Sequence, residues 1–422
     1  MVHSFGFMTQ LRRISIAPAM FVACALASAL PAAQTASTQS APNEVRALWV
    51  QRTSLESPDA IRRMVTSAGQ HGFNTLLVQV RGRGDAYFTR GVEFRASGLS
   101  SQPDGFDPLA ETLARAHDAG LRVHAWLNVN LVSSAAELPA ARDHVIYEHP
   151  EWLMVPRELA PELLPIDVRS PEYLGRLARW TRANATMVEG LYVSPVHPDA
   201  VAHITSIVSD LVTRYAVDGV HLDYLRYPAG DFDYGRAAIG IFEAEMRPRI
   251  QPSERARVEA LQAIDPFAWT EAFATEWRLF RQSRLTALVT RLRSTVKSIR
   301  PSALVSAAVV PDAEVALRDK LQDWRTWLEN GFIDALCPMA YTQEPSVFAA
   351  QIADVQSLAA GRPVWAGIGA YRLSARETID NIATARRLGV NGIVLFSYDS
   401  LISPPNGTEY LAAVGRGAFS GS

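Results

Sequence analysis

The stretch VDGVHLDYLRYP, residues 217–228, starts like a buried β-strand and ends like something else. Val217, Val220 and Leu222 suit the interior of a sheet, whereas His221, Asp223 and Arg226 gather toward its C-terminal end. Side chains alternate across a strand, so Val220 and Leu222 share one side while His221 and Asp223 share the other. An apolar side turned to helices and a polar side at the strand's end fit a parallel strand of a (β/α)8 barrel. Chemistry in that fold gathers where the packed lumen layers stop.

Working outward, the same reading applies to seven more runs: VRALWV (45–50), FNTLLVQV (73–80), LRVHAWLNVN (121–130), LVSAAVV (304–310), IDALCPMAY (333–341), PVWAGIGAY (363–371) and GIVLFSY (392–398). Helical stretches with capping signals lie between them. Ser57-Pro58 and Asp107-Pro108 open two, while Gly120 and Gly389 close two. A doubly wound sheet also alternates strands with helices, but it carries a Gly-rich turn after an early strand and has fewer repeats. The fold class is therefore expected to be an α/β barrel of the (β/α)8 type. Two connections are oversized, 131–216 after the third strand and 226–302 after the fourth, and both are expected to wall a cleft. Within the second, DFDYGRAAIGIFEAEM (231–246) reads as lid-like.

Composition narrows the function. The 422 residues are 48% hydrophobic and 20% charged, ample for a large core, and a net charge of -2 offers nothing to a nucleic acid. There is no Walker loop, G-x-G-x-x-G fingerprint or H-E-x-x-H pair. Residues 1–33 run from charged MVHSFGFMTQLRR through an apolar stretch to small residues, the order of an export signal cleaved near Ala33. A polar linker is expected over 34–43, the barrel over 44–412 and a short tail over 413–422. The product would be periplasmic or secreted and without an integral membrane span; lipidation at Cys24 is the alternative. Cys24 leaves with the signal, so Cys337 has no disulfide partner.

Polar and aromatic residues recur at the strand ends. On the third strand His124, Trp126 and Asn128 share the side opposite Val123 and Ala125. Gln79 and Arg81 continue one face of the second strand into a loop with Asp85 and Tyr87. Trp49, Tyr341 with Glu344, Trp365, and Tyr398 with Asp399 supply the first, sixth, seventh and eighth ends. Indole and phenol faces beside carboxylates suit a sugar, whose C–H faces stack and whose hydroxyls need polar partners. Asp223 is expected as the main catalytic carboxylate, with Asp85 as first candidate partner and Glu344, Asp312 and Asp399 behind it. Trp49, Trp126 and Trp365 would stack on the sugar. Arg81, Tyr87, His124, Asn128, His221, Arg226, Tyr341 and Tyr398 would orient it. The plainer alternatives make Asp223 the partner of a structural Arg or His, Trp49 and Trp126 core fillers, and Arg52, Arg83 and Asp85 solvated loop charges. No cofactor or metal is required: His124, His221 and Asp223 could form a metal centre, but the first strand reads LWVQR, with no H-x-H.

Four segments in order resemble the glycosyl hydrolase-like 10 family of bacterial envelope proteins. They are EVRALWV, GFNTLLVQVRGRGDAYF, DGFDPLAETLARAHDAGLRVHAWLNVN, and VSPVHPDAVAHI followed by RYAVDGVHLDYLRYP. The resemblance implies a catalytic (β/α)8 barrel, export to the envelope and action on glycan strands, most of all those of peptidoglycan. Two positions depart from the family pattern: Tyr224 stands where a second acid is frequent, and Ser194 where Asp or Asn is. DGVHLDYL is also similar to the chitinase-type D-G-x-D-x-D-x-E signature. Asp218 and Asp223 match it, but His221 replaces an Asp and Leu225 stands at the proton-donating Glu. The alternatives to a glycosidase are a lectin-like barrel that binds glycan without cleaving it and a metal-dependent deacetylase. The sequence leaves the oligomeric state open.

Overall fold

Eight short runs of aliphatic and aromatic residues form the strands: β1 Val45–Val50, β2 Thr75–Arg81, β3 Arg122–Asn128, β4 Gly219–Asp223, β5 Leu304–Val309, β6 Ala335–Ala340, β7 Trp365–Ile368 and β8 Gly392–Phe396. In this computed structural model they close in chain order into an all-parallel barrel, β8 pairing back onto β1. The structure describes residues 43–89, 91–403, 407 and 409–420. The export signal expected over 1–33, and linker residues 34–42, lie outside the described residues. Among the described residues no helix is long and apolar enough to cross a membrane.

The helix signals act locally. Ser57 accepts from Ala60 N at 3.2 Å to open Pro58–Gln70, and Asp107 accepts from Ala110 N at 3.0 Å to open Pro108–Asp118. Gly120 then takes a φ of +72°, a left-handed exit that a side chain would disfavour. Val123, Ala125, Leu127, Val220 and Leu222 join the helices in the outer core, whereas Trp49, Trp126, Cys337 and Trp365 pack inside the lumen.

Register stacks the lumen side chains of β3 and β4 in layers: His124 lies opposite Gly219, Trp126 opposite His221, and Asn128 opposite Asp223. Gly219 has no Cβ, and one placed there would overlap the His124 ring. The lowest layer exists because the two residues are complementary in size.

The two long connections are folded, each around a small core. The first holds helices Val145–Glu148, Ala160–Leu163, Pro171–Ala183 and Pro198–Arg214 and buries Trp152, Leu153, Leu163, Leu177 and Val193 in a core of its own. The second buries Phe242, Met246, Val258, Trp269 and Trp277. Residues 231–246, expected as lid-like, pack between the two insertions in this structure. Asp233 is 2% exposed and accepts from Val155 N and Gly235 N, both at 2.9 Å, which ties the two insertions together. Residues 413–420, expected as a tail, are helical through Phe419, which is buried edge-on against Phe73 at 5.1 Å.

Candidate active site

β4 ends at Asp223, and the chain then turns sharply: Tyr224 adopts a φ of +52°, unusual for a residue with a side chain. The turn places the Tyr224 N–H 2.6 Å from Asp223 Oδ1 and sends Tyr224 and Arg226 to the rim of one cavity. That cavity, of about 220 Å³, opens at the C-terminal face of the barrel. Trp49, Trp126, Tyr341, Phe396 and Met339 line its apolar side, and Gln51, Arg52, Gln79, Arg83, Asn128, Asp223, Tyr224 and Arg226 its polar side. Trp49 meets Tyr341 and Phe396 edge-on, at 6.2 and 5.9 Å between centroids, so the aromatic wall is braced by its own members.

Asp223 is 7% exposed. Burial disfavours its charged form and pushes the carboxyl up to about 6, against the pull of Arg226, the Tyr224 N–H and the Trp126 indole N–H. A carboxyl at that value is poised to give and take a proton near neutral pH. Arg226 is itself committed: it donates to Glu189 Oε1 at 2.8 Å and lies 4.7 Å over the Tyr224 ring. Burial alone would raise Glu189, but Arg226 and the Tyr192 hydroxyl, 2.6 Å from Oε2, hold it below the usual carboxylate range. The charges therefore run Asp223, Arg226, Glu189 from the cavity outward.

Asn128 organises the floor. Its Oδ1 accepts from Trp126 Nε1 at 3.0 Å, and its Nδ2 donates to Gly82 O at 2.7 Å. His221 lies beneath: Trp49 Nε1 donates to its Nε2 at 3.0 Å, so the proton sits on Nδ1, which donates to Ser306 Oγ at 2.9 Å. Burial lowers His221 to about 3 and His124 to about 4, leaving both neutral. His124 lies deeper still, edge-on to Trp365 at 5.5 Å.

Of the residues expected from sequence, the cavity brings together Trp49, Trp126, Asn128, Asp223, Arg226 and Tyr341. His124, His221 and Trp365 sit below it as lumen packing. Arg81 is turned away. The β2–β3 register shifts between Gln79 and Arg81, so Gln79 pairs with Trp126 but Arg81 with outward-facing Leu127. The Arg81 guanidinium instead makes two 2.7 Å bonds to buried Glu93. Burial would raise Glu93, yet Arg81 and His203 bring it down to about 2.

Asp85 and Tyr87 line a neighbouring groove of about 420 Å³ that shares Arg52 and Arg83 with the cavity. Asp85 accepts from the Arg83 N–H at 2.9 Å, and Tyr87 reaches Glu56 at 3.4 Å. Glu344 stands exposed at the start of helix Pro345–Leu358, outside the cavity lining. Asp312 caps helix Ala313–Lys320, and Asp399 accepts from Gln51 N, Thr53 and Ser54. Tyr398 faces a separate cleft beside Arg62, Arg63 and His71. Asp223 is thus the sole carboxylate among the cavity-lining residues. Among the described residues no three His, Cys, Asp or Glu side chains gather as a metal site would require.

Glu189 was not anticipated, because nothing near it in sequence marks it as a partner for Arg226, 37 positions later. Tyr224 and Phe396 were passed over as well. Alternation along β4 and β8 carries no record of how the chain turns at their ends.

A closed eight-stranded barrel with an aromatic cavity and a buried acid at the end of β4 defines a (β/α)8 protein of the glycoside hydrolase architecture. The chain belongs to the glycosyl hydrolase-like 10 family, matched over residues 44–368. It is 24% identical over 315 residues to the glycosyl hydrolase DigH of Escherichia coli K12, spanning 70% of this chain and 59% of DigH. It is 23% identical over 302 residues to YngK, a glycosyl hydrolase of Bacillus subtilis, spanning 66% of this chain and 48% of YngK. In fold it is similar to the glycoside hydrolase domain of PgaB (BpsB) from Bordetella bronchiseptica, with TM-score 0.59 and 17% identity over 88% of this chain and 98% of that one. A β-galactosidase from Bacillus circulans sp. alkalophilus is similar too, with TM-score 0.59 and 12% identity over 89% of this chain and 56% of that one.

Proposed function

We propose that the protein is an exported glycoside hydrolase acting on an envelope polysaccharide, foremost the glycan strands of peptidoglycan, with Asp223 as its acid. The observation that carries this is the buried Asp223 carboxyl, raised to about 6, at the wall of an aromatic cavity. Family membership and the naming of its relatives as glycosyl hydrolases support the reaction class.

The neutral Asp223 side chain would hand its proton to the glycosidic oxygen as the C1–O bond breaks. A pair of carboxylates facing each other across the sugar is the common arrangement. With Asp223 alone in the lining, a sugar bearing a 2-acetamido group fits the site better. The amide oxygen would bond to C1 as the leaving oxygen departs with the Asp223 proton. The Asp223 carboxylate would then take a proton from the water that opens the ring intermediate, which restores the acid. Trp126, Trp49 and Tyr341 would hold the sugar face, and Asn128 and Gln79 its hydroxyls.

The same single carboxylate favours a second reading, a barrel that binds glycan without cleaving it. Incubation of the mature protein and Asp223→Asn with purified peptidoglycan, with and without stem peptides, separates the two. Mass analysis of soluble fragments should show products from wild type only, while both forms bind. Binding by both with no fragments from either would leave the lectin reading standing.

A further inference from the structure

One buried ion pair lies just outside the cavity with no part yet in its chemistry. The Arg81 and Glu93 side chains are 1% and 5% exposed. Enclosing two charges is costly, and an apolar pair of similar volume often serves stability as well or better. Glu93 accepts from Nε and Nη2 of the Arg81 fork, both at 2.7 Å, and lies 3.3 Å from His203 Nε2. The remaining nitrogen, Nη1, donates to Asn128 O and to Val129 O, the latter at 3.2 Å.

The Asn128 carbonyl and the Val129 N–H are two ends of one planar peptide. That N–H donates to Asp223 O at 2.8 Å. The Asp223 carbonyl in turn shares a peptide with the Tyr224 N–H, which donates to Asp223 Oδ1 at 2.6 Å. A continuous line therefore runs from the Glu93 carboxylate, through the Arg81 guanidinium and two peptides, to the carboxyl of Asp223. Hydrogen bonds in a chain polarise one another, so the cation at its head strengthens each donor further along. The line also pins the last rung between β3 and β4, where Asn128 lies opposite Asp223. The Asn128 side chain is tied to the same corner, donating to Gly82 O at 2.7 Å.

We infer that Glu93 and Arg81 are a positioning pair, which through the Asn128–Val129 and Asp223–Tyr224 peptides holds the Asp223 carboxyl in place and aims the Tyr224 N–H at it. This rests on Asp223 as the acid, as proposed above. Neither residue lines the cavity, so neither contacts the sugar.

The test replaces the pair as a whole. Full-length Arg81→Met/Glu93→Met removes one charge of each sign and fills the space with apolar side chains, an exchange that buried pairs often tolerate. Arg386→Met/Glu44→Met does the same to another buried pair, at the opposite end of the barrel, and serves as control. Fragment release from stem-free peptidoglycan glycan is measured across pH, per folded molecule. In the first variant kcat should fall about 10–10²-fold, with KM within about threefold of wild type. With the Tyr224 N–H weakened, Asp223 holds its proton more tightly. The fall in kcat/KM with rising pH should then move alkaline by roughly half a pH unit. The other ionisable neighbours of Asp223 stay as they are: Arg226 and Tyr224 beyond β4, Glu189 in the first insertion, Cys337 on β6 and Tyr341 just after it. The control should keep both the kcat and the pH limb of wild type. If the double Met variant does not fold, Arg81→Gln/Glu93→Gln, whose amides can bond each other, takes its place with the same two effects expected.

A kcat within about threefold of wild type with an unmoved limb overturns the positioning role, as do equal losses in the control. The glycosidase reading survives either result as long as Asp223→Asn is inactive. Turnover that persists in Asp223→Asn, or no fragments from wild type, removes the acid itself and the positioning role with it.

Discussion

Asp223→Asn should make the protein slower and more stable at once. Burial raises this carboxyl from 3.8 to about 6. At 1.36 kcal/mol per pH unit, keeping it ionised at neutral pH costs the fold about 3 kcal/mol. Because the folded-state value lies above the unfolded one, the protonated group supports the fold fully below pH about 4, and that support is lost as pH rises through about 6. Asparagine is close to isosteric and uncharged, and its oxygen can still accept the Tyr224 N–H. The stability gap between variant and wild type should therefore grow by about 2.5 kcal/mol in the variant's favour between pH 4 and pH 7.5. Urea unfolding of both proteins at both pH values measures this, and the difference of differences cancels the other titrating groups to first order. Fragment release from glycan at pH 5.5 should drop roughly 10²–10⁴-fold in the same variant. A gap that changes by less than about 0.5 kcal/mol would refute burial as the source of the raised carboxyl. Turnover within tenfold of wild type would refute its role as the acid.

Other outcomes follow from the same geometry. Wild-type kcat/KM should fall as pH rises through about 6, because the acid must carry its proton; a rise across that range would assign Asp223 the opposite role. Glu189→Gln removes the charge that offsets Arg226, so this limb should move acidward by roughly half a pH unit; a full pH–rate profile reads it, and an unmoved limb breaks the Asp223–Arg226–Glu189 link. Tyr341→Ala takes one side from the aromatic wall and should raise KM about tenfold with little change in kcat, as steady-state kinetics will show if the ring only holds the sugar. Gly190→Ala would drive a methyl into the Ser133 carbonyl, so chemical denaturation should show a loss of about 3 kcal/mol; a stability equal to wild type would mean that the first insertion is far more pliable than its packing implies.

The period-two alternation of 217–225 and 121–130 was enough to put Asp223, Trp126 and Asn128 on the lumen side, because strand parity is a local property of the backbone. Eight such runs with capped helices between them sufficed for the barrel, and Ser57, Asp107 and Gly120 act where sequence puts them because capping involves only neighbours in the chain. Tertiary structure alone decided which polar residues reach the cavity. One register shift after Gln79 turned Arg81 outward to Glu93, a change that no count along β2 reveals because the extra residue is defined only against β3. Depth within the lumen likewise separated Asp223 and Asn128 from His124 and His221, which share their strands and their parity. Sequence carries the direction in which a side chain points. Whether that direction ends in water, in a cavity or against another residue's hydrogen-bonding group depends on chain segments tens to hundreds of positions away.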